Sequence, residues 1–267
     1  MPQDIFWAED VISLRIVFIL SYVLRWHSSV IRALYGDNVM TDDKSYFIAE
    51  YFGKWELDVQ RAENLLVFDQ FFLEGLLVLS CYIGALGRLR YPNETKDWKT
   101  YKTIVSEYSG QRETYENIDL LFFYQWPTSR LANDKVYGCL KNYPQLVSSF
   151  ENVFGTDIKT DPRRYQKREE LRRLAKSAGT AWFDEANFEK YIELFSNNQI
   201  LYEFVRCEAV HNSTFPLFNA VYHPEEQKTT YEDNHQIGRH VILTTVKNII
   251  AQLKRECMEK AKWPREL

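Results

Sequence analysis

The strongest constraint on the fold is an apolar stripe near the C-terminus. Ile242/Leu243, Val246, Ile249/Ile250, Leu253 and Cys257 recur at steps of three and four, the spacing of one face of an α-helix, and predict a helix over 239–260. Two more stripes repeat the pattern: Ile12, Ile16, Phe18/Ile19 and Tyr22/Val23, then Phe68, Phe71/Phe72, Gly75/Leu76, Leu79, Tyr82/Ile83 and Leu86. Such faces must be buried against one another, so the expected fold is an all-α helical bundle. Only 10 of the 267 residues are Gly, below the average of ~7%, which leaves few of the positive-φ positions that tight hairpins need. With 45% apolar and 26% charged residues, disordered and fibrous classes are excluded.

The chain reads as a single helical domain over 1–267, with core helices at 66–90 and 200–260 and peripheral helices carrying a basic patch at 156–196. Gly36-Asp37-Asn38 and Thr41-Asp42-Asp43 are turn material, and Pro92 ends the second stripe. Shorter helices are expected around Tyr101, Ile104/Val105 and Tyr108, and over 120–126 before Pro127. Residues 155–162 read as a linker whose Asp161-Pro162 starts a helix over 163–176, Asp as cap and Pro in the first helical position. Helices over 185–195 and 199–211 follow, separated by Ser196-Asn197-Asn198 as stop and cap. Between the last two helices, FNAVY and KTTY flank His223-Pro224-Glu225-Glu226 and suggest a short hairpin.

A net charge of −4 gives no global attraction to a phosphate backbone. The exception is local: Arg163, Arg164, Lys167, Arg168, Arg172, Arg173 and Lys176 stand against only Glu169 and Glu170. Such a helix either meets phosphates or is a solvated face with intrahelical ion pairs. The four cysteines show no C-x-x-C pair and no zinc-finger spacing, which fits a reduced, cytoplasmic compartment and gives no metal site. Asp4, Glu9 and Asp10 stand where a signal peptide carries positive charge, and Arg15, Arg25, Asp69 and Glu74 interrupt the most apolar windows, so no membrane partner is expected. No Gly-rich phosphate loop, G-x-S-x-G elbow or H-E-x-x-H motif occurs, and no cofactor is implied. His223, His235 and His240 lie in or beside loop or helix-start positions, where a His is usually a surface or capping residue.

What remains is Arg206 and His211, with four residues between them at the end of a helix, set among Leu201, Val205 and Val210 and followed by Asn212-Ser213-Thr214 and Pro216. With the long apolar helix upstream and the final amphipathic helix downstream, this segment resembles the HEPN family (higher eukaryotes and prokaryotes nucleotide-binding), helical bundles marked by an Arg, four to six residues, and a His. The resemblance covers residues 68–90 and 201–253. It implies a metal-independent endoribonuclease acting as a homodimer on RNA, of the kind found in defence or toxin-antitoxin systems with a protein antitoxin or regulator as partner. Arg206 and His211 would be catalytic, with Asn212 and the basic residues Arg163, Arg164, Arg168, Arg172 and Arg173 contacting substrate. The alternative is a non-catalytic HEPN-like module that binds nucleic acid, a nucleotide or a protein. In the family the residue after the Arg is commonly polar; here it is Cys207.

Such a motif has a chemical rationale. Cleaving RNA without a metal needs a base for the 2′-OH proton, an acid for the leaving 5′-oxygen and a cation for the phosphoryl charge. One His cannot be acid and base in one step, so a catalytic one-His motif implies two copies on a two-fold axis. His titrates near neutral pH, and the fork of Arg matches phosphate oxygens. A five-residue step turns about 140° around an α-helix, so the pair shares a face only if the helix bends or ends near His211.

Overall fold

The structure, a computed structural model, describes residues 41–68, 71–125, 143–179, 183–207, 219–232 and 235–267. The stripe at 11–26 and the turn at 36–38 lie outside them. The chain divides into two compact units, Met1–Phe47 and Ile48–Leu267. Of the first, the described residues form the start of helix α1 (Thr41–Val67), where Tyr46 and Phe47 meet edge to face. Thr41-Asp42-Asp43 therefore opens a helix and is not a turn. All else below concerns the second unit.

Helix dominates, as the stripes require. Within α1, Ile48, Phe52, Trp55, Val59, Ala62 and Leu66 are buried, a heptad-spaced seam too narrow to stand out among the intervening charges. Helix α2 (Phe72–Arg90) buries Phe72, Leu76, Leu79, Ile83 and Leu86, while Phe68 and Phe71 remain exposed before it. Among the described residues it is the one helix long and apolar enough to cross a membrane; its stripe is packed against protein. Helix α3 (Asp97–Tyr108) contributes Tyr101, Ile104, Val105 and Tyr108 to the core. A Cβ on Gly87 would come within 3.0 Å of the Thr100 side chain and 3.1 Å of its carbonyl oxygen, so a glycine lets α2 and α3 touch there.

Short elements follow: α4 (Arg112–Glu116), β1 (Ile118–Asp119), α5 (Leu120–Gln125) and α6 (Tyr143–Phe154). The helix expected over 163–176 is broken. Asp161 does cap, accepting from the Arg163 N–H at 2.7 Å with Pro162 next, but what it starts is a single 3-10 turn, Pro162–Arg164. The chain then extends as β2 (Tyr165–Gln166), antiparallel to β1 with Ile118 opposite Gln166 and Asp119 opposite Tyr165, before α7 (Arg168–Ala178) begins. The reason is Arg164, which turns inward. Helix α8 (Glu185–Ile192) passes into a 3-10 turn (Glu193–Phe195), and α9 (Asn197–Ile200) into a π-helix (Leu201–Cys207).

The expected hairpin is present as β3 (Asn219–His223) and β4 (Lys228–Glu232), its corner turned by Gln227 at φ 48°. Helix α10 (Arg239–Lys260) matches its stripe in full, with Ile242, Leu243, Val246, Ile249, Ile250, Leu253 and Cys257 buried. Lys247 pairs with Glu63 and Lys254 with Glu56, both at 2.7 Å, so α1 and α10 run antiparallel. Arg239 lies over the Phe72 ring, and Arg90 reaches Glu256 at 3.8 Å, so α2 and α10 run parallel.

Candidate functional site

The helix that carries Arg206 is fixed at its start. Ser196 caps it by accepting from the Gln199 N–H, as the Ser-Asn-Asn signal predicts. The buried Asn197 donates from its backbone N–H to the Asn117 carbonyl at 2.9 Å, and from its side chain to the Thr114 carbonyl and Gln236 at 2.8 and 2.7 Å. Asn198 donates to the Lys102 carbonyl and to Ser106. From this anchor the chain turns through Ile200 into the π-helix, whose i to i+5 bonding brings Leu201 and Arg206 onto neighbouring positions.

Arg206 projects from that helix against α2 and α3. Its guanidinium lies over the rings of Tyr202 and Tyr101, 5.3 and 6.0 Å from their centroids. A Cβ on Gly84 would lie 3.6 Å from its Nε, an ordinary van der Waals distance, so the arginine lies along α2 at that position. Its polar contacts are loose: Nη2 to Asp97 Oδ2 at 3.5 Å and Nη1 to Cys207 Sγ at 3.8 Å. The side chain is 24% exposed, and Asp97 49%. Burial works against the charge of Arg206, but Tyr202 and Cys207 outweigh it and hold its pKa above the ordinary value. Burial, with Cys207 adding, pushes the Tyr202 phenol up to about 12, and burial raises the Cys81 thiol against the pull of Arg206. A permanent cation thus sits half-sunk beside two neutral phenols that meet edge to face, with donors left for an anion. His211 and Asn212 lie outside the described residues.

The basic segment is largely spoken for. Arg163 is held by Asp161, whose carboxylate it meets at 2.6 Å. Arg168 pairs with Glu189 and Glu193, Arg172 with Glu185 and Glu189, and Lys176 with Glu185, so α8 and the 3-10 turn after it supply the counter-charge for α7. Arg173 is exposed. Arg164 is buried, with Nε and Nη2 donating to the two oxygens of Asp119 at 2.8 and 2.6 Å.

Asp119 is the hub of a cluster that the sequence did not disclose. Besides the fork of Arg164 it accepts from His235 Nε2 at 2.9 Å and from the Phe122 N–H at 3.1 Å, so it also caps α5. His235 Nδ1 accepts from the Ile237 N–H at 3.1 Å, which leaves the proton on Nε2. Burial alone would raise the Asp119 pKa, but the hydrogen bonds from His235 and Arg164 outweigh it and bring it down to about 2. The cluster joins β1 and β2 to the loop entering α10, beside the Gln236 that holds Asn197. The one available signal was an isolated Asp directly before the apolar run Leu120-Leu121-Phe122-Phe123.

A cleft of about 710 Å³ opens beside α3, lined by Trp98, Lys102, Arg112, Lys167, Arg168 and Glu193 among others. Five basic and five acidic side chains line it, so it carries no net attraction for a polyanion. Burial and Arg168 push the Lys102 amine down to about 8. Glu193 is only 2.6 Å from it, but that carboxylate is shared with Arg168. Among the described residues no three His, Cys, Asp or Glu side chains gather as metal ligands.

No protein-family model matches the chain, and neither a curated protein nor a solved structure matches it.

Proposed function

We propose that the protein is a metal-independent endoribonuclease of the HEPN type, acting as a homodimer, in which Arg206 grips the phosphoryl group and His211 moves protons. The observation that carries this reading is the setting of Arg206: a guanidinium lying over an edge-to-face pair of tyrosines, partly open to solvent, and bound to its nearest carboxylate only at 3.5 Å. Arg164 is buried and two-pronged on Asp119, and Arg90, which also lies over two tyrosines, donates to the Tyr108 hydroxyl at 2.7 Å, closer than either polar contact of Arg206. The π-helix supports the reading too, because such segments are rare and concentrate at functional sites. Acid and base must both come from the one His of the motif, so two subunits supply the pair.

The purified protein should run in solution at twice the chain mass and cut single-stranded RNA in the presence of EDTA. RNA that stays intact under those conditions removes the nuclease reading. The second reading, a non-catalytic module, is favoured by Cys207 at the position after the arginine; under it, RNA would be bound and not cut.

A further inference from the structure

Arg206 is not the only guanidinium at this place. On α2, Cys81, Gly84 and Arg88 follow one another at steps of three and four and so share a face, the face on which Arg206 lies. Arg88 is one turn beyond Gly84, with Nη1 donating to the Glu94 carbonyl at 2.5 Å. Its Nη2 meets Asp97 Oδ1, while the other oxygen of that carboxylate faces Arg206 Nη2 at 3.5 Å. One surface carboxylate is therefore bracketed by guanidiniums from two different helices.

We infer that Arg88 and Arg206 form a two-guanidinium clamp for an RNA phosphodiester, and that the Asp97 carboxylate holds the anion position until substrate displaces it. The inference rests on the reading of Arg206 as a phosphate-gripping group. Planar donor forks bind carboxylate and phosphate oxygens with the same geometry, so a carboxylate in this place marks where a phosphate fits. Displacement is feasible because the occupant is exposed: the side chains of Asp97 and Arg88 are 49% and 42% accessible. Arg206 needs no help from Asp97 to stay in place, since it already packs on Tyr101, Tyr202 and the surface of α2 at Gly84. The other nearby carboxylate, Glu94, is bound to Lys99 at 2.6 Å and to the Lys96 N–H, so it does not compete for the clamp. With Asp97 moved aside, two positive charges face the ligand at the first turn of α3, where the helix dipole also favours an anion.

The test is fluorescence anisotropy with a labelled RNA oligonucleotide carrying 2′-O-methyl groups throughout, which has no 2′-OH to attack and cannot be consumed. Arg88→Gln should weaken binding roughly tenfold or more and lower the slope of log affinity against log salt by about one. Asp97→Asn should tighten binding severalfold, an effect that a merely structural Asp97 would not produce. Both positions are exposed, and thermal melts followed by circular dichroism will show that the variants stay folded. No binding by wild type, unchanged binding by Arg88→Gln, or unchanged or weaker binding by Asp97→Asn would each overturn the clamp. The two claims separate cleanly. The expected shifts alongside intact unmodified RNA in EDTA leave the clamp and remove the nuclease; cleavage at the wild-type rate by Arg88→Gln leaves the nuclease and removes the clamp.

Discussion

Replacing Asp119 by Ala should destabilise the protein by about 3–5 kcal/mol, the cost of leaving a buried cation without its partner. The side chains of Arg164 and Asp119 are only 11% and 1% exposed, so water cannot substitute for the missing oxygens. His235 and the Phe122 N–H lose their acceptor in the same step. Chemical denaturation gives the number. Removing the cation as well, in Asp119→Ala/Arg164→Met, should recover a substantial part of the loss, because the uncompensated charge goes with it. A double variant as unstable as the sum of the two singles would show that the pair is not coupled.

The same cluster sets an acid limit. The folded pKa of Asp119, about 2, lies below the unfolded value of about 3.9. The stability that its ionised form contributes is therefore complete above roughly pH 5 and disappears as pH falls through 4 toward 2. Wild type should weaken across that window more than the double variant does. Parallel pH profiles for the two would contradict the assignment.

Arg206→Ala and His211→Ala should each lower RNA cleavage by about 10²–10³, the range measured when an electrostatic or proton-transfer group is removed from a preorganised site. Arg206→Lys should recover little. A lysine keeps the charge but has neither the donor fork nor the flat guanidinium that lies over Tyr101 and Tyr202. Single-turnover assays in EDTA give the rates, and denaturation alongside them separates chemistry from folding. Rates within a few-fold of wild type for either alanine variant would place the site elsewhere.

The parts of the fold that could be read in advance are those where one side-chain period decides the outcome. Helix α10 and the buried face of α2 follow from apolar spacing alone, because nothing competes with burying Ile242 to Cys257 or Leu76 to Leu86. Helix α1 shows no such stripe, because a two-in-seven seam of Ile48, Phe52, Trp55, Val59, Ala62 and Leu66 is diluted by the charges between. The segment at 163–176 departs from its helical pattern for a different reason. Its local pattern suits a helix, but Arg164 finds Asp119, 45 positions away, and that pairing bends the chain into β2. Long-range charge pairing leaves no periodic trace. The candidate site divides in the same way: Arg206 was singled out by its spacing to His211 and the resemblance that spacing carries. Arg88, Asp97 and the packing of the guanidinium on α2 depend on how α2 meets the π-helix, which no linear pattern reports.

The most direct test is to identify the ends that the protein leaves on RNA cut in EDTA. Attack by the 2′-oxygen, with protonation of the departing 5′-oxygen, leaves a 2′,3′-cyclic phosphate on one fragment and a 5′-hydroxyl on the other. The Arg206 and His211 account predicts that pair of termini, lost when either residue becomes alanine; 5′-phosphate ends, or no fragments at all, would contradict it.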